Sequence, residues 1–274
     1  MKSLHQYILE KYNNARGGDE FYTRIQDIEK ELTNYDLRGK TVYCNCDNPK
    51  FSNFWKYFHD NFKQLGLKHL IATYYDKNPQ RYDFDGNIIK TKAIESGKFQ
   101  DNADIISECD IVVTNPPFSN GMPSELIELV VDKYKKDLLF VGPLMLAFKK
   151  DVFEKYFKNG KIHAGYHAVY RFERPANKKW ENSRATCNWW TNIPVKKPRL
   201  ETGIKFDKNK AVFDENNEYL ICKEYMSIPD NYKKSIATSV NFMNHINYDQ
   251  FEIIGCGRTK NQVTKFKQVF VKRK

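Results

Sequence analysis

Residues 110–119 read DIVVTNPPFS, and they fix the kind of fold this chain can adopt. Ile111, Val112 and Val113 are consecutive β-branched residues. A short apolar run without alternation is a strand covered on both faces, the usual state in a parallel sheet. The run stops at Asn115-Pro116-Pro117. Each proline fixes its own φ, and Pro116 also keeps Asn115 out of the helical region. The strand therefore ends in a stiff, polar tip.

The flanking segments fit the same plan. On the amino-terminal side, Ile25, Ile28 and Leu32 share one face of a helix over residues 24–35. TVYCNC at 41–46 is a short buried strand, broken by Asp47-Asn48-Pro49, and residues 54–65 suit a helix ending at Gly66. HLIATYY at 69–75 is a second strand, followed by a polar loop over 76–98 and a helix over 101–109. Beyond the tip, 125–134 is helical and LLFV at 138–141 is a further strand. Strands and helices alternating at this spacing predict an α/β fold with a mostly parallel, doubly wound sheet. Ligands in such sheets bind beyond the carboxyl ends of the strands, where Cys46, Tyr75 and Asn115 fall.

The two ends of the chain are less regular. Residues 4–12 are helical in pattern, before a break at Arg16-Gly17-Gly18. After about residue 144 the order loosens. Residues 171–184 read as a basic loop, 186–193 (TCNWWTNI) and 250–255 (QFEIIG) as strands, and the tail KFKQVFVKRK as positively charged. The expected organisation is a catalytic domain over 1–193 and a smaller recognition region with a basic tail over 194–274.

At 274 residues the chain can bury a large core, and its 41% apolar content is ordinary for a folded protein. No apolar stretch approaches the ~20 residues that cross a bilayer. The first residues lack a signal-peptide pattern, so cytoplasmic residence is expected. Six scattered cysteines, Cys44, Cys46, Cys109, Cys187, Cys222 and Cys256, point to reduced thiols. Cys44 and Cys46 with His163 and His167 have the spacing of alternating strand residues as much as that of a zinc site, so no metal is expected. The two histidines read as packing or phosphate contacts, and Trp189-Trp190 as one core and one surface residue.

A net charge of +11 with 15% aromatic residues suits a polyanion whose bases can stack, although a lysine-rich composition alone gives much of the same bias. The basic residues gather at Arg171, Arg174, Lys178, Lys179 and Arg184, and again at Lys196, Lys197, Arg199 and Lys205. On charge and aromatic content a nucleic acid is a candidate partner. The sequence leaves the oligomeric state open, a monomer included.

The chemistry sits in Asn115, Pro116, Pro117 and Phe118. The exocyclic amine of a base is a poor nucleophile because its lone pair is delocalised into the ring. Acceptors aimed at both amine hydrogens localise that pair, and the Asn115 side-chain oxygen with the Pro116 carbonyl supply two. Prolines set both acceptors before the substrate arrives, as transition-state stabilisation requires. Phe118 offers a face for a base turned out of the duplex, worth about 1–3 kcal/mol. The plain alternative is a turn closing a strand; the position at the binding edge weighs against it.

The chain resembles the EcoRI-type adenine-specific DNA methyltransferases. The matching stretches are DEFYT at 19–23, TVYCNCDNPKFSNFWKYF at 41–58, DIVVTNPPFS at 110–119 and DQFEIIG at 249–255, with KIHAGYH at 161–167 a weaker match. The resemblance implies a Rossmann-like methyltransferase fold, S-adenosylmethionine as donor and N6 of adenine in a short duplex site as acceptor, in the setting of restriction and modification. It implies a cofactor set of Phe21, Tyr22 and Thr23, then Cys44, Asn45, Cys46, Asp47 and Asn48 where other methyltransferases carry a glycine-rich loop, and Tyr74 and Phe99. Two departures stand out. Gly97-Lys98-Phe99 replaces the family's Gly-Asp-Phe, and Ala237-Thr238-Ser239 replaces a Gly-Val-Pro turn. The same motif also serves enzymes that methylate RNA bases or protein glutamine, and a relative that binds nucleic acid without catalysis is the remaining alternative.

Overall fold

A computed structural model describes residues 22–74, 78–116, 122–173, 180–259 and 267–274, with the side chains of 180–185 excepted. The expected helix at 4–12, together with Phe21, Tyr75, Pro117, Phe118, Arg174, Lys178, Lys179 and the Arg184 side chain, lies outside what is described. The chain divides into two compact units, Met1–Lys136 with Val169–Ala185, and Asp137–Ala168 with Thr186–Lys274.

In unit 1 the described elements run β1 Tyr22–Thr23, α1 Ile25–Leu32, β2 Thr41–Asn45, α2 Asn53–Asp60, α3 Phe62–Leu65, β3 His69–Thr73, β4 Gln80–Phe84, β5 Ile89–Ala93, α4 Ala103–Glu108, β6 Ile111–Thr114 and α5 Met122–Ile127. Their sheet has the order β6-β2-β3-β4-β5. Strand β2 is its axis. It pairs parallel with β3 from Thr41↔His69 to Asn45↔Thr73, and parallel with β6 through Val42↔Ile111 and Tyr43↔Val112. Every residue of β2 and β6 is buried, which is why both read as apolar runs. Helix α1 buries Ile28 and Leu32 as its pattern predicted. The helical stretch expected over 54–65 is interrupted at Asn61 and closed by Gly66, which takes a left-handed φ of 62°.

The expected polar loop at 76–98 is a correction. It contains an antiparallel hairpin, β4–β5, with β4 added to the edge of β3. Strand β5 (IKTKA) is exposed throughout, so no burial marks it in the sequence. The local signal was the turn: Asp85 accepts the backbone N–H groups of Asn87 and Ile88, and Gly86 sits at φ 94°.

Unit 2 contains β7 Asp137–Pro143 and a short helix, α6, at Lys150–Val152. Strands β8 His163–Glu173 and β9 Trp180–Thr191 each contribute residues to both units. The basic loop expected at 171–184 is thus strand at 171–173 and from 180 onward, a second correction. Strand β9 pairs antiparallel with β7 from Leu139↔Thr191 to Pro143↔Cys187. In unit 1, β1 pairs antiparallel with β8 at Tyr22↔Glu173 and Thr23↔Phe172.

A separate four-stranded sheet has the order β10-β11-β13-β12, built from Leu220–Cys222, Ser235–Ser239, Gln268–Arg273 and Phe251–Gly257 in that order. The expected basic tail is therefore an inner strand, with Gln268, Val269, Val271 and Arg273 buried. The Ala237-Thr238-Ser239 departure lies in β11.

Trp189 and Trp190 are both fully buried, against the expectation that one faces solvent. Trp190 Nε1 donates to the Gly142 carbonyl at 3.2 Å, and its ring stands edge-on to Phe157. A Cβ on Gly142 would approach Trp190 to 3.1 Å and Phe140 to 3.0 Å, so the glycine is what admits the indole. All six cysteines are free thiols. Among the described residues no helix is long and apolar enough to cross a membrane.

Candidate active site at the tip of the sixth strand

Strand β2 ends at Asn45, and the chain then turns through Cys46 at φ 63°. That left-handed conformation is uncommon for a residue with a Cβ and is the one glycine adopts freely. Cys46 thus makes, without glycine, the sharp turn that glycine-rich loops make. The Asp47 N–H donates to the Thr73 carbonyl at 3.1 Å, which holds the turn against the end of β3. Tyr43 and Thr73 hydroxyls meet at 2.6 Å, a second tie between the same two strands.

The Asp47 side chain is buried. Ser52 Oγ donates to Asp47 Oδ1 at 2.6 Å and receives the N–H groups of Phe54 and Trp55, capping α2. From β6, the Thr114 hydroxyl donates to the Asn45 carbonyl at 2.5 Å and stands 3.5 Å from Asp47 Oδ2. Burial pushes the Asp47 carboxyl up to about 7, with the Ser52 and Thr114 contacts opposing it. The thiols rise for the same reason, Cys46 to about 12 and Cys44 well above the usual thiol range.

Asn115 follows directly. Its residue is half-buried, its carboxamide oxygen is buried, and Pro116 after it is buried. On the other side of the loop, Asn53 Nδ2 donates to the Thr23 carbonyl at 2.9 Å and to Glu173 Oε2 at 3.4 Å, which brings β1 to the start of α2. Hydrogen bonds therefore join three segments far apart in sequence: 22–23, 45–53 and 114–115. Two buried oxygens at this place have no partner among the described residues, Thr23 Oγ1 and Asn45 Oδ1. An unsatisfied buried acceptor costs about 1–3 kcal/mol, which a bound polar ligand recovers.

The other expected site residues fall as follows. Tyr22 pairs with Glu173, Asn48 is half-buried at the loop, and Tyr74 is half-buried with its ring 6.2 Å from Tyr82. Phe99 is 2% exposed, a core position that offers no open face for stacking in this structure. Lys98 is exposed before the 3-10 turn Phe99–Asn102, and the Asn102 amide bonds the Ser96 and Lys98 carbonyls. The turn is thus held without the acid that the family favours. Ser52 and Asn53 carry the geometry yet were not singled out from the sequence, and Thr114 was read only as part of the strand-tip motif. The capping serine ahead of an aromatic helix was the available signal.

Among the expected phosphate contacts, Arg171, Lys196 and Arg199 are exposed. Lys197 is instead engaged: its ammonium donates to the Gly165 carbonyl and lies 5.6 Å from the Tyr166 ring centre. Arg199 also lines a cleft of about 610 Å³ in unit 2, with Lys233, Asp230 and Arg273. His163 is held well below the ordinary histidine range, at about 4, by burial, in keeping with a packing role. Among the described residues no group of three or more His, Cys, Asp or Glu is placed to hold a metal ion.

An α/β sheet with a parallel core, bearing Asn-Pro at the tip of the strand beside its axis, is the arrangement of the amino-methyltransferase class. The sequence profile of the family described as adenine-specific methyltransferase EcoRI matches residues 8–98 and 82–274. The chain belongs to that family. It is 31% identical to the Type II methyltransferase M.EcoRI of Escherichia coli over 293 residues, covering 90% of this chain and 88% of that protein. It is 30% identical to the Type II methyltransferase M.MgeORF184P of Mycoplasma genitalium over 278 residues, covering 90% and 86%. M.MpnI of Mycoplasma pneumoniae is 27% identical over the same shares.

Proposed function

We propose that this chain transfers a methyl group from S-adenosylmethionine to the N6 amine of an adenine in a short site of double-stranded DNA. One observation carries the reading. Asn115 is fixed at the end of β6 by the Thr114 hydrogen bond to the Asn45 carbonyl, so the acceptor residue and the loop after β2 are built as one unit. Preorganised acceptors need no reorganisation during reaction, and that is where such sites gain their rate.

The residues present suit the donor. Thr23 Oγ1 and Asn45 Oδ1 are buried polar atoms that a zwitterionic amino-acid group can satisfy. Tyr22, Thr23 and the loop Cys44, Asn45, Cys46, Asp47 and Asn48 would hold the cofactor, together with Tyr74. When bound, S-adenosylmethionine supplies an electrophilic methyl on a sulfonium. Asn115 Oδ1 and the Pro116 carbonyl accept the amine hydrogens and orient the lone pair, and Phe118 stacks on the extruded base. Arg171, Lys196 and Arg199 are the exposed cations for duplex phosphates, and residues 194–274 are the recognition region.

The decisive experiment is labelled methyl transfer to plasmid DNA, RNA and a protein extract in parallel, followed by sequencing that detects modified adenines. Label in DNA at one recurring adenine context is the expected result. Label confined to RNA or protein refutes it. The family's adenine specificity leaves the protein-glutamine alternative without support.

A further inference from the structure

We infer that the cleft in unit 2 bounded by Arg199, Lys233 and Arg273 is an oxyanion site that takes a backbone phosphate of the duplex. The inference rests on the DNA reading above and adds to it a contact built into the fold.

The cleft, about 610 Å³ in volume, is lined by four cationic side chains, Arg199, Lys233, Arg273 and Lys274, against two carboxylates, Asp230 and Glu201. Asp230 is already answered. Its oxygens accept the Thr202 and Gly203 N–H groups at 3.1 and 2.8 Å and the Thr202 hydroxyl at 3.3 Å. Glu201 is exposed to solvent, which screens it. Arg199 and Lys233 are exposed too, and among the described residues neither forms an ion pair with a side-chain carboxylate. Positive charge is therefore in surplus within one concave surface.

Arg273 distinguishes this cleft from a patch of surface lysines. It is the last residue of β13, and its side chain is only 6% exposed. A guanidinium has five N–H groups to place. Nη2 stands 3.4 Å from Asp230 Oδ1 and Nη1 3.4 Å from the Leu200 carbonyl, both long against the ~2.8 Å of a charge-assisted bond. Nε is buried without a partner among the described residues. Burial lowers Arg273 from the ordinary arginine range; Asp230 opposes that, and the charge of Arg199 adds to it. Two guanidiniums in each other's field, one with donors to spare, favour an anion between them. The wall is set beforehand: Gln250 accepts the Leu200 N–H at 2.7 Å and donates to the Leu200 carbonyl at 2.9 Å. A fork of N–H groups fits the paired oxygens of a phosphate, and a chain with a net charge of +11 draws a polyanion to it.

Arg273 also holds Asp230 and lies against the Phe251 ring, so its removal would not separate binding from folding. Lys233→Gln is the cleaner test, with Lys234→Gln as control. Both lysines are exposed and both changes remove one charge, yet only Lys233 lines the cleft. Duplex binding is followed by fluorescence anisotropy without methyl donor, between about 50 and 200 mM salt. The slope of log affinity against log salt should fall by roughly 1 for Lys233→Gln and by less than about 0.3 for Lys234→Gln. Equal changes in the two variants mean that net charge alone acts, and overturn the site.

A second arm needs no DNA. Inorganic phosphate, titrated by calorimetry at constant ionic strength, should bind the parent and Lys234→Gln, and bind Lys233→Gln at least about fivefold more weakly. A parent that binds no phosphate, or a Lys233→Gln variant that binds it as well as the parent, overturns the inference. Weakened phosphate binding with an unchanged duplex slope marks a site for a free anion and overturns the assignment to the duplex. If the parent binds no duplex, the DNA reading fails, and the phosphate titration still decides whether the cleft holds an oxyanion.

Discussion

The two compact units bury their polar groups by different means. In unit 1, Asp47 is buried among hydroxyls and backbone, Ser52, Thr114 and the Thr73 carbonyl, with no countercharge among the described residues. In unit 2, Arg273 has a side chain 6% exposed, yet it faces a carboxylate, Asp230, at 3.4 Å and lies 4.6 Å from the Phe251 ring centre. Asp230 in turn accepts the Thr202 and Gly203 N–H groups, which hold it below the usual carboxylate range. A paired buried charge fastens one backbone segment to another. An unpaired one is sensitive to its protonation state. A buried group without a countercharge feels its desolvation in full, whereas a paired one recovers part of it.

Four variants test that contrast. Asn115→Ala should reduce methyl transfer by at least about a hundredfold, the cost of removing one preorganised polar group, while donor affinity by calorimetry stays within about threefold. Near-normal turnover removes Asn115 from the site. In unit 2, Trp190→Ala should cost about 3–5 kcal/mol in urea unfolding, because an indole at 0% exposure leaves a cavity. A loss below about 1 kcal/mol means that the packing around Gly142 is misread.

Ser52→Ala should cost about 1 kcal/mol as a lost helix cap. It also deprives Asp47 Oδ1 of its donor, so KM for the methyl donor should rise several-fold, and an unchanged KM separates the cap from the site. The smallest effect belongs to the surface. Replacing Lys196 and Arg199 with glutamine should leave stability within about 0.5 kcal/mol. The slope of log affinity for duplex against log salt should fall by roughly 2, and an unchanged slope excludes both as phosphate contacts.

The legibility of the sequence followed the same division. Strands β2 and β6 were readable because each is buried on both faces and so spells an apolar run, and Asn115-Pro116 was readable because prolines act on their own backbone. The hairpin β4–β5 was not, since an exposed strand such as IKTKA carries no burial pattern. Strand β13 was read as a charged tail because Lys272 and Lys274 alternate with residues whose burial depends on β11 and β12 on either side. Trp189 and Trp190 were divided between core and surface on strand alternation alone; whether the second face is covered depends on segments remote in sequence.

The sequence by itself determined the α/β plan, the stiff tip at Asn115 and the family, because each depends on residues within a few positions of one another. The hydrogen bonds that join Thr23 to Asn53 and Thr114 to Asn45 span 30 and 69 residues. The protonation state of Asp47 depends on how much water those contacts exclude. Desolvation is a property of the assembled neighbourhood, and only the tertiary structure could set it.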